Sequence, residues 1–429
     1  MGQTMTAKIL ARASGAKHVA VGDVLLAKIA LMTNLDGTTF IDSFIEKGLK
    51  VWDPARMIFC FDHMFQPEWF PQQAGKDHPK IRAFAKAQGI PAENVYDIGR
   101  NGISHHIPVE HGWALPGTVC IGADTQSATM GATNCFALPA LFGVDPIILN
   151  GDIWMIVPEC IRVNFTGALP RGVNGKDVVY RLLKDLGGRV NGRVIEIAGP
   201  GVAGLPMDMR LAIANGSVQI GALTIVFPAD KVLLDYLVGR AREPFTAVAS
   251  DADAEYVESF EYDLATFETL VAGPHDIELI RPLSAVSGQP IDAAYVGSCS
   301  SGRLTDLALA AEVLCGRKVH PGVRLVVTPI SADTAREAEA AGLLQVFLSA
   351  GAMVTQPGCG ACYVGNLSPL KLGDGERCIS TSVETLRGRM GSREAEVILG
   401  NAAVVAASAI EGRIADPRPY LSAVQETRP

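Results

Sequence analysis

No stretch of this chain is both long and apolar enough to cross a bilayer. The run from Ala402 to Ala409 falls far short of the ~20 residues a membrane helix needs, so no membrane association is expected. Positive charge is not in excess either. With 37 Lys and Arg against 45 Asp and Glu, the net charge of -8 gives no general pull toward nucleic acid or anionic lipid. Any anionic substrate must be held by local groups. Met1 to Arg12 lacks the apolar core and small-residue cleavage site of a secretory signal. Internal repeats and low-complexity tracts are missing. The nine cysteines (60, 120, 135, 160, 299, 315, 359, 362 and 378) are odd in number and scattered, unlike a dense disulfide framework. A cytoplasmic, reducing environment is expected.

What is present reads as a multidomain α/β protein. A chain of 429 residues exceeds what one hydrophobic core organises, which sets two or three domains as the expectation. Short Val- and Ile-rich runs end at glycines and are followed by helical patterns, the signature of parallel α/β units. Ile291 to Val296 reads as a strand, Leu304 to Leu314 as a helix and Val323 to Thr328 as the next strand, with Asp333 as a cap for the helix that follows. Ile161, Val163 and Phe165 alternate with Arg162, Asn164 and Thr166, a strand with one wet face. The acidic stretch Ser250 to Glu261 reads as a surface connection. Boundaries near 160 and 285 divide the chain into three α/β domains, 1–160, 161–285 and 286–429.

Chemistry concentrates at three cysteines. Cys299 lies in Gly297-Ser298-Cys299-Ser300-Ser301, and Cys359 and Cys362 in Pro357-Gly358-Cys359-Gly360-Ala361-Cys362. The Cys-x-x-Cys spacing lets one loop bring two thiolates to one metal, and the flanking glycines permit a tight turn. Cys299 joins them if the fold brings its loop close. The spacing alone is shared by zinc sites, redox dithiols and clusters, and unligated thiols in turns are the plain alternative. Closed zinc would want a fourth ligand, for which Cys378 is a candidate. A thioredoxin-like site is disfavoured, because that motif normally sits near the first βαβ unit.

These segments, with Gly302-Arg303 and with Ser380-Thr381-Ser382 followed by Arg387-Gly388-Arg389, resemble the signatures of the aconitase superfamily, in particular its 3-isopropylmalate dehydratase and homoaconitase large-subunit branch. The resemblance runs over nearly the whole chain and includes Lys8 to Arg12, Asp62-His63, Gly102 to His105, Gly122 to Gly131, Glu196 to Ala222 and Ala402 to Pro417. It implies three α/β domains around an iron-sulfur cleft. It further implies that Cys299, Cys359 and Cys362 bind a 4Fe-4S cluster whose open iron polarises a C–OH bond. Dehydration of a 2-hydroxy acid needs a base and an acid. By resemblance, Asp62 with His63 and His105 with Asp124 supply the acid-base pairs, and Arg389 anchors a carboxylate. His106 and His111 match no family role.

Several positions depart from the family pattern. Where the motif ends Asp-Ser-His, this chain reads Asp124-Thr125-Gln126; where a glutamate follows an asparagine by four, Asn215 is followed by Gln219. Both members of one ionisable pair have become amides, which hydrogen-bond but exchange no proton near neutral pH. Glu384 stands where the family has a carboxylate-binding arginine, and Ser301 where it commonly has asparagine. A charge reversal beside a dianionic substrate costs several kcal/mol of binding, which points away from isopropylmalate and homocitrate. A substrate with fewer carboxylates, or with a polar or cationic group opposite Glu384, is expected. The alternatives are a cluster-dependent lyase or isomerase whose iron binds something other than a hydroxyl, and a non-catalytic sensor or scaffold. Thr125, Gln126, Asn215, Gln219, Ser301, Glu384 and Arg389 form the expected substrate side. The family also uses a fourth, swivelling domain, and the chain has no room for one after residue 417. A separately encoded small subunit is expected as partner.

Overall fold

In the computed structural model of the protein, residues 2–36, 40–63 and 73–421 are described. The chain forms two compact units. One comprises Met1–Leu169, Arg181–Phe267 and Gly365–Leu367, the other Pro170–Tyr180, Glu268–Val364 and Ser368–Pro429. Among the described residues no helix is long and apolar enough to cross a membrane.

The first unit contains a five-stranded parallel sheet in the order Val95–Tyr96, Met57–Cys60, Leu31–Asn34, Val119–Gly122, Phe136–Pro139. Its central strands are buried throughout, as continuous apolar runs in a sheet covered on both faces should be. Around them Met32, Phe40, Phe44, Phe59, Phe84 and Ile121 form the core. A second, four-stranded parallel sheet runs Thr224–Val226, Val194–Ala198, Cys160–Thr166, Glu258–Asp263. In Cys160–Thr166 the apolar residues Ile161, Val163 and Phe165 are buried and their neighbours half-exposed, as the alternation predicts. The acidic stretch differs from expectation. Its end, Glu258–Asp263, is the edge strand of this sheet, with Tyr262 turned inward and Glu261 and Asp263 outward. Charges on the outer face of an edge strand protect it from unwanted pairing, and here they hide the period-2 signal.

The second unit is built on a seven-stranded sheet, Ile280–Pro282, Leu270–Ala272, Glu396–Leu399, Arg377–Ser380, Ala293–Val296, Arg324–Val327, Met353–Val354. Five strands run parallel, and at one edge Leu270–Ala272 pairs antiparallel with both Glu396–Leu399 and Ile280–Pro282. The helix expected over Leu304–Leu314 is present and packs its apolar face into the core with Ala402–Glu411. The cap of Ala332–Ala340 is Ser331, whose hydroxyl accepts from the Thr334 amide; Asp333 lies inside the first turn. Serine wins because it holds the extended backbone that a cap requires.

Candidate active site and cysteine centre

In the first unit the candidate acid-base residues Asp62, His63 and Asp124 lie at the carboxyl ends of adjacent parallel strands. Leu31–Asn34 leads to Asp36, Met57–Cys60 to Asp62 and His63, and Val119–Gly122 to Asp124 and Gln126. Parallel strands bring their following loops to one edge of the sheet, where α/β proteins place their sites. Asp62 is buried and divides its oxygens. Oδ1 lies 2.8 Å from His63 Nδ1, while Oδ2 accepts the Ser104 amide at 2.9 Å. Asp36 accepts the His63 amide at 3.2 Å and lies 3.1 Å from His78 Nε2. Asp124 stands between both candidate histidines, with Oδ2 4.0 Å from His63 Nε2 and Oδ1 3.7 Å from His105 Nε2.

Those carboxylates decide the charge of His63. Burial pulls its imidazolium down, but the charge and hydrogen bond of Asp62 and the charges of Asp36 and Asp124 outweigh that and lift it to about 10. His63 therefore carries two ring protons at neutral pH. Asp36 and His78 were not anticipated from the sequence; the available signal was a carboxylate two residues past a buried strand.

The backbone N–H of Gln126 donates to Asp124 Oδ1 at 2.7 Å, and its backbone carbonyl accepts the Thr129 hydroxyl at 2.6 Å. Thr129 in turn accepts Asn215 Nδ2 at 3.0 Å. The buried side-chain oxygen Oε1 of Gln126 has no hydrogen-bond partner among the described residues. The expected amide contact with Gln219, which is half-buried on the short helix Ser217–Ile220, is thus not made through that atom. Thr125 is exposed beside it.

In the second unit the three cysteines are buried, and none is in a disulfide. Cys299 follows the strand Ala293–Val296 through Gly297 and Ser298, and Ser298 holds φ at 68°, a left-handed conformation costly for a side-chain-bearing residue. Arg303, fully buried, donates to the Cys299 carbonyl at 2.8 Å and to the Ser300 carbonyl at 3.1 Å. Cys359 precedes, and Cys362 ends, the single turn Gly360–Cys362. Gly360 has φ +58°, and a Cβ there would lie 2.5 Å from both Thr328 Oγ1 and Tyr295 Oη, so the turn requires glycine. Tyr295 Oη donates to the Cys359 carbonyl at 3.0 Å.

The thiols are strongly polarised. A hydrogen bond from Cys359 pulls Cys362 well below the ordinary thiol range, burial opposes it, and Arg389 adds to the pull. The same hydrogen bond and burial push Cys359 up. Arg389 donates through Nε to the Cys362 carbonyl at 2.8 Å and through a terminal nitrogen to Cys362 Sγ at 3.5 Å. Burial opposes its charge, but Cys362, Cys359 and Glu384 raise the guanidinium further. Glu384 is half-buried, and Ser301 is fully buried with no partner for Oγ among the described residues.

This donor set fits an iron-sulfur cluster: three buried thiols from two loops, soft ligands on a glycine-shaped turn, with a guanidinium against one sulfur. Cys378 does not complete a zinc site. It pairs in parallel register with Ala293, the far end of the strand from Cys299, about 10 Å away at ~3.3 Å per residue before the loop begins. Sequence reasoning also missed Lys176. It is buried at the start of the helix Gly175–Leu186, and its Nζ donates to Ser300 Oγ, Thr381 O and Ser382 O at 3.1, 3.0 and 2.7 Å. The available signal was its spacing from Val179, Tyr180 and Leu183, which places a lysine on the apolar face of that helix.

Residues 8–288 and 281–412 match the Aconitase family (aconitate hydratase). The chain is similar to 3-isopropylmalate dehydratase large subunit 1 of Methanopyrus kandleri, at 38% identity over 98% of this chain and 100% of that protein. It is likewise similar to 3-isopropylmalate dehydratase large subunit 2 of Rubrobacter xylanophilus, at 37% over 97% and 98%. The probable methanogen homoaconitase large subunit of Methanothermobacter thermautotrophicus is 36% identical over 96% and 97%. A solved chain, the holo-form of Thermococcus kodakaraensis aconitase X, shares 12% identity at a TM-score of 0.49 over 86% of this chain and 88% of its own. With two family matches that together span nearly its whole length and relatives this similar, the chain belongs to the aconitase family, with the α/β fold that family implies.

Proposed function

We propose that this protein is the large subunit of a 4Fe-4S hydro-lyase that dehydrates or isomerises a 2-hydroxy carboxylic acid, working with a separately encoded small subunit. The single observation that carries this reading is that Cys299, Cys359 and Cys362 are buried free thiols, with the charges of Cys362 and Cys299 both acting on Cys359 and with Arg389 against Cys362. The relatives named as dehydratase large subunits support both the reaction class and the partner. When bound, the cluster supplies an iron with an open position, a Lewis acid for a substrate hydroxyl.

The chain's own residues supply the rest. Cys299, Cys359 and Cys362 hold the cluster, and Arg303 fixes the carbonyls of the Cys299 loop. His63, kept protonated by Asp62, Asp36 and Asp124, serves as the acid for a departing hydroxyl. His105 and Asp124 form the second acid-base pair, while Gln126 presents an unpartnered amide oxygen to a polar substrate group. Arg389 binds a carboxylate.

Glu384 favours a substrate with fewer carboxylates than isopropylmalate or homocitrate, or with a polar or cationic group facing it, since its charge already acts on Arg389. A cluster-bearing sensor without turnover is the second reading, favoured by the amides at 126 and 219. The test is anaerobic reconstitution with the small subunit and a screen of 2-hydroxy acids and their unsaturated products. Turnover of a hydroxy acid with water loss supports the hydro-lyase. Full-rate turnover of 3-isopropylmalate overturns the substrate assignment, and absence of turnover with any acid, in a cluster-loaded protein, overturns the enzyme reading.

A further inference from the structure

Lys176 is an ammonium buried beside the cysteine centre without a carboxylate partner. Its side chain is almost wholly enclosed, and among the described residues it makes no ion pair within 4.0 Å. Its three acceptors, Ser300 Oγ, Thr381 O and Ser382 O, are all neutral. The neighbouring carboxylates are otherwise engaged. Asp177 accepts the amides of Asn174 and Leu270 at 2.9 and 3.0 Å and Asn401 Nδ2 at 2.8 Å, and Asp306 lies 3.5 Å from Asn174 Nδ2. Burial pulls the Lys176 ammonium down to about 8, against the opposing charges of Cys299, Asp306, Cys362 and Asp177, of which Cys299 acts most strongly.

The position is structurally defined from both sides. Ser300, next to Cys299, donates to Thr381 O, and the Thr381 hydroxyl accepts the Gly297 amide at 2.8 Å and donates to the Gly297 carbonyl at 2.9 Å. These contacts already join the Cys299 loop to the Ser380–Ser382 turn. A neutral donor would complete that join without the desolvation that burying a charge incurs. The charge therefore needs a reason of its own, and three thiolates binding an anionic cluster provide one.

We infer that Lys176 is a positioning residue whose positive charge, held between the Cys299 loop and the Ser380–Ser382 turn, stabilises the reduced cluster and so sets its reduction potential. The inference rests on the cluster reading given above. It is tested with the full chain reconstituted anaerobically with ferrous iron and sulfide, by redox titration monitored through the EPR signal of the reduced cluster. The variants are Lys176→Met and Lys176→Gln, the latter keeping a hydrogen-bond donor without the charge. At the potential where half of the wild-type clusters are reduced, the reduced-to-oxidised ratio in both variants should fall at least tenfold, about 59 mV for a one-electron couple. A merely structural lysine would change thermal stability or iron content but leave that ratio alone, and an unchanged ratio in a loaded variant overturns the inference. If neither neutral variant loads, Lys176→Arg decides. Loading at the wild-type potential supports the role of charge, and failure to load overturns it. Wild-type protein that takes up no cluster overturns the underlying reading as well, a result distinct from loaded variants with an unchanged potential.

Discussion

Arg389 lays its guanidinium along Cys362, with Nε 2.8 Å from the carbonyl and a terminal nitrogen 3.5 Å from Sγ. A residue expected from sequence only as a carboxylate anchor thus also braces one of the three candidate cluster cysteines. Arg389→Lys keeps the charge but cannot reproduce two planar donors. We expect it to lose iron faster than wild type and to reduce kcat/KM by roughly 30-fold or more, a loss of ~2 kcal/mol from a broken charge-assisted pair. Iron release to a chelator and steady-state kinetics check both. Wild-type values in each would remove Arg389 from the site.

The charge on His63 gives a pH signature. Its folded value of about 10 lies above the ~6.5 of an unfolded histidine. The stability it contributes is therefore complete below pH 6.5 and is lost as pH rises toward 10. The stability difference between wild type and His63→Gln, from urea unfolding, should shrink by on the order of a few kcal/mol across that window. A difference that does not vary with pH would mean the three carboxylates do not hold the proton.

Gln126 makes the opposite prediction for stability. Its buried Oε1 has no partner, so Gln126→Leu breaks no hydrogen bond through that atom and removes an unsatisfied acceptor. The melting free energy should change by less than about 1 kcal/mol, while KM for the true substrate rises. Marked destabilisation with an unchanged KM would make Gln126 structural.

Much of this was legible in the sequence, and the reasons are local. Cys359-x-x-Cys362, the glycines around it and the Val-rich strands announce themselves through spacing and period, because the chemistry and the sheet each demand it. Asp36, His78 and Lys176 were hidden, because their roles arise only when parallel strands and helix ends converge, and a lone charged residue reads as solvated. Glu258–Asp263 was hidden for a related reason, since its outward charges mask the inward Tyr262. Ser331 outcompeted Asp333 as a cap through backbone conformation, which composition does not reveal.

Glu384 offers a test by gain of function. If it excludes a second carboxylate, Glu384→Arg restores the family's positive charge and should raise kcat/KM for 3-isopropylmalate at least tenfold, about 1.4 kcal/mol of transition-state binding. Parallel assays of both proteins with the small subunit present read this directly. No gain would place the specificity elsewhere.

The most direct measurement is iron and acid-labile sulfide per chain after anaerobic reconstitution, with EPR of the reduced protein, for wild type and for Cys299→Ser, Cys359→Ser and Cys362→Ser. Under the cluster assignment, wild type should hold about four irons and four sulfides, with a cluster signal that each single substitution abolishes or converts. Wild type holding zinc or no metal, or a serine variant that keeps the wild-type signal and stoichiometry, would contradict it.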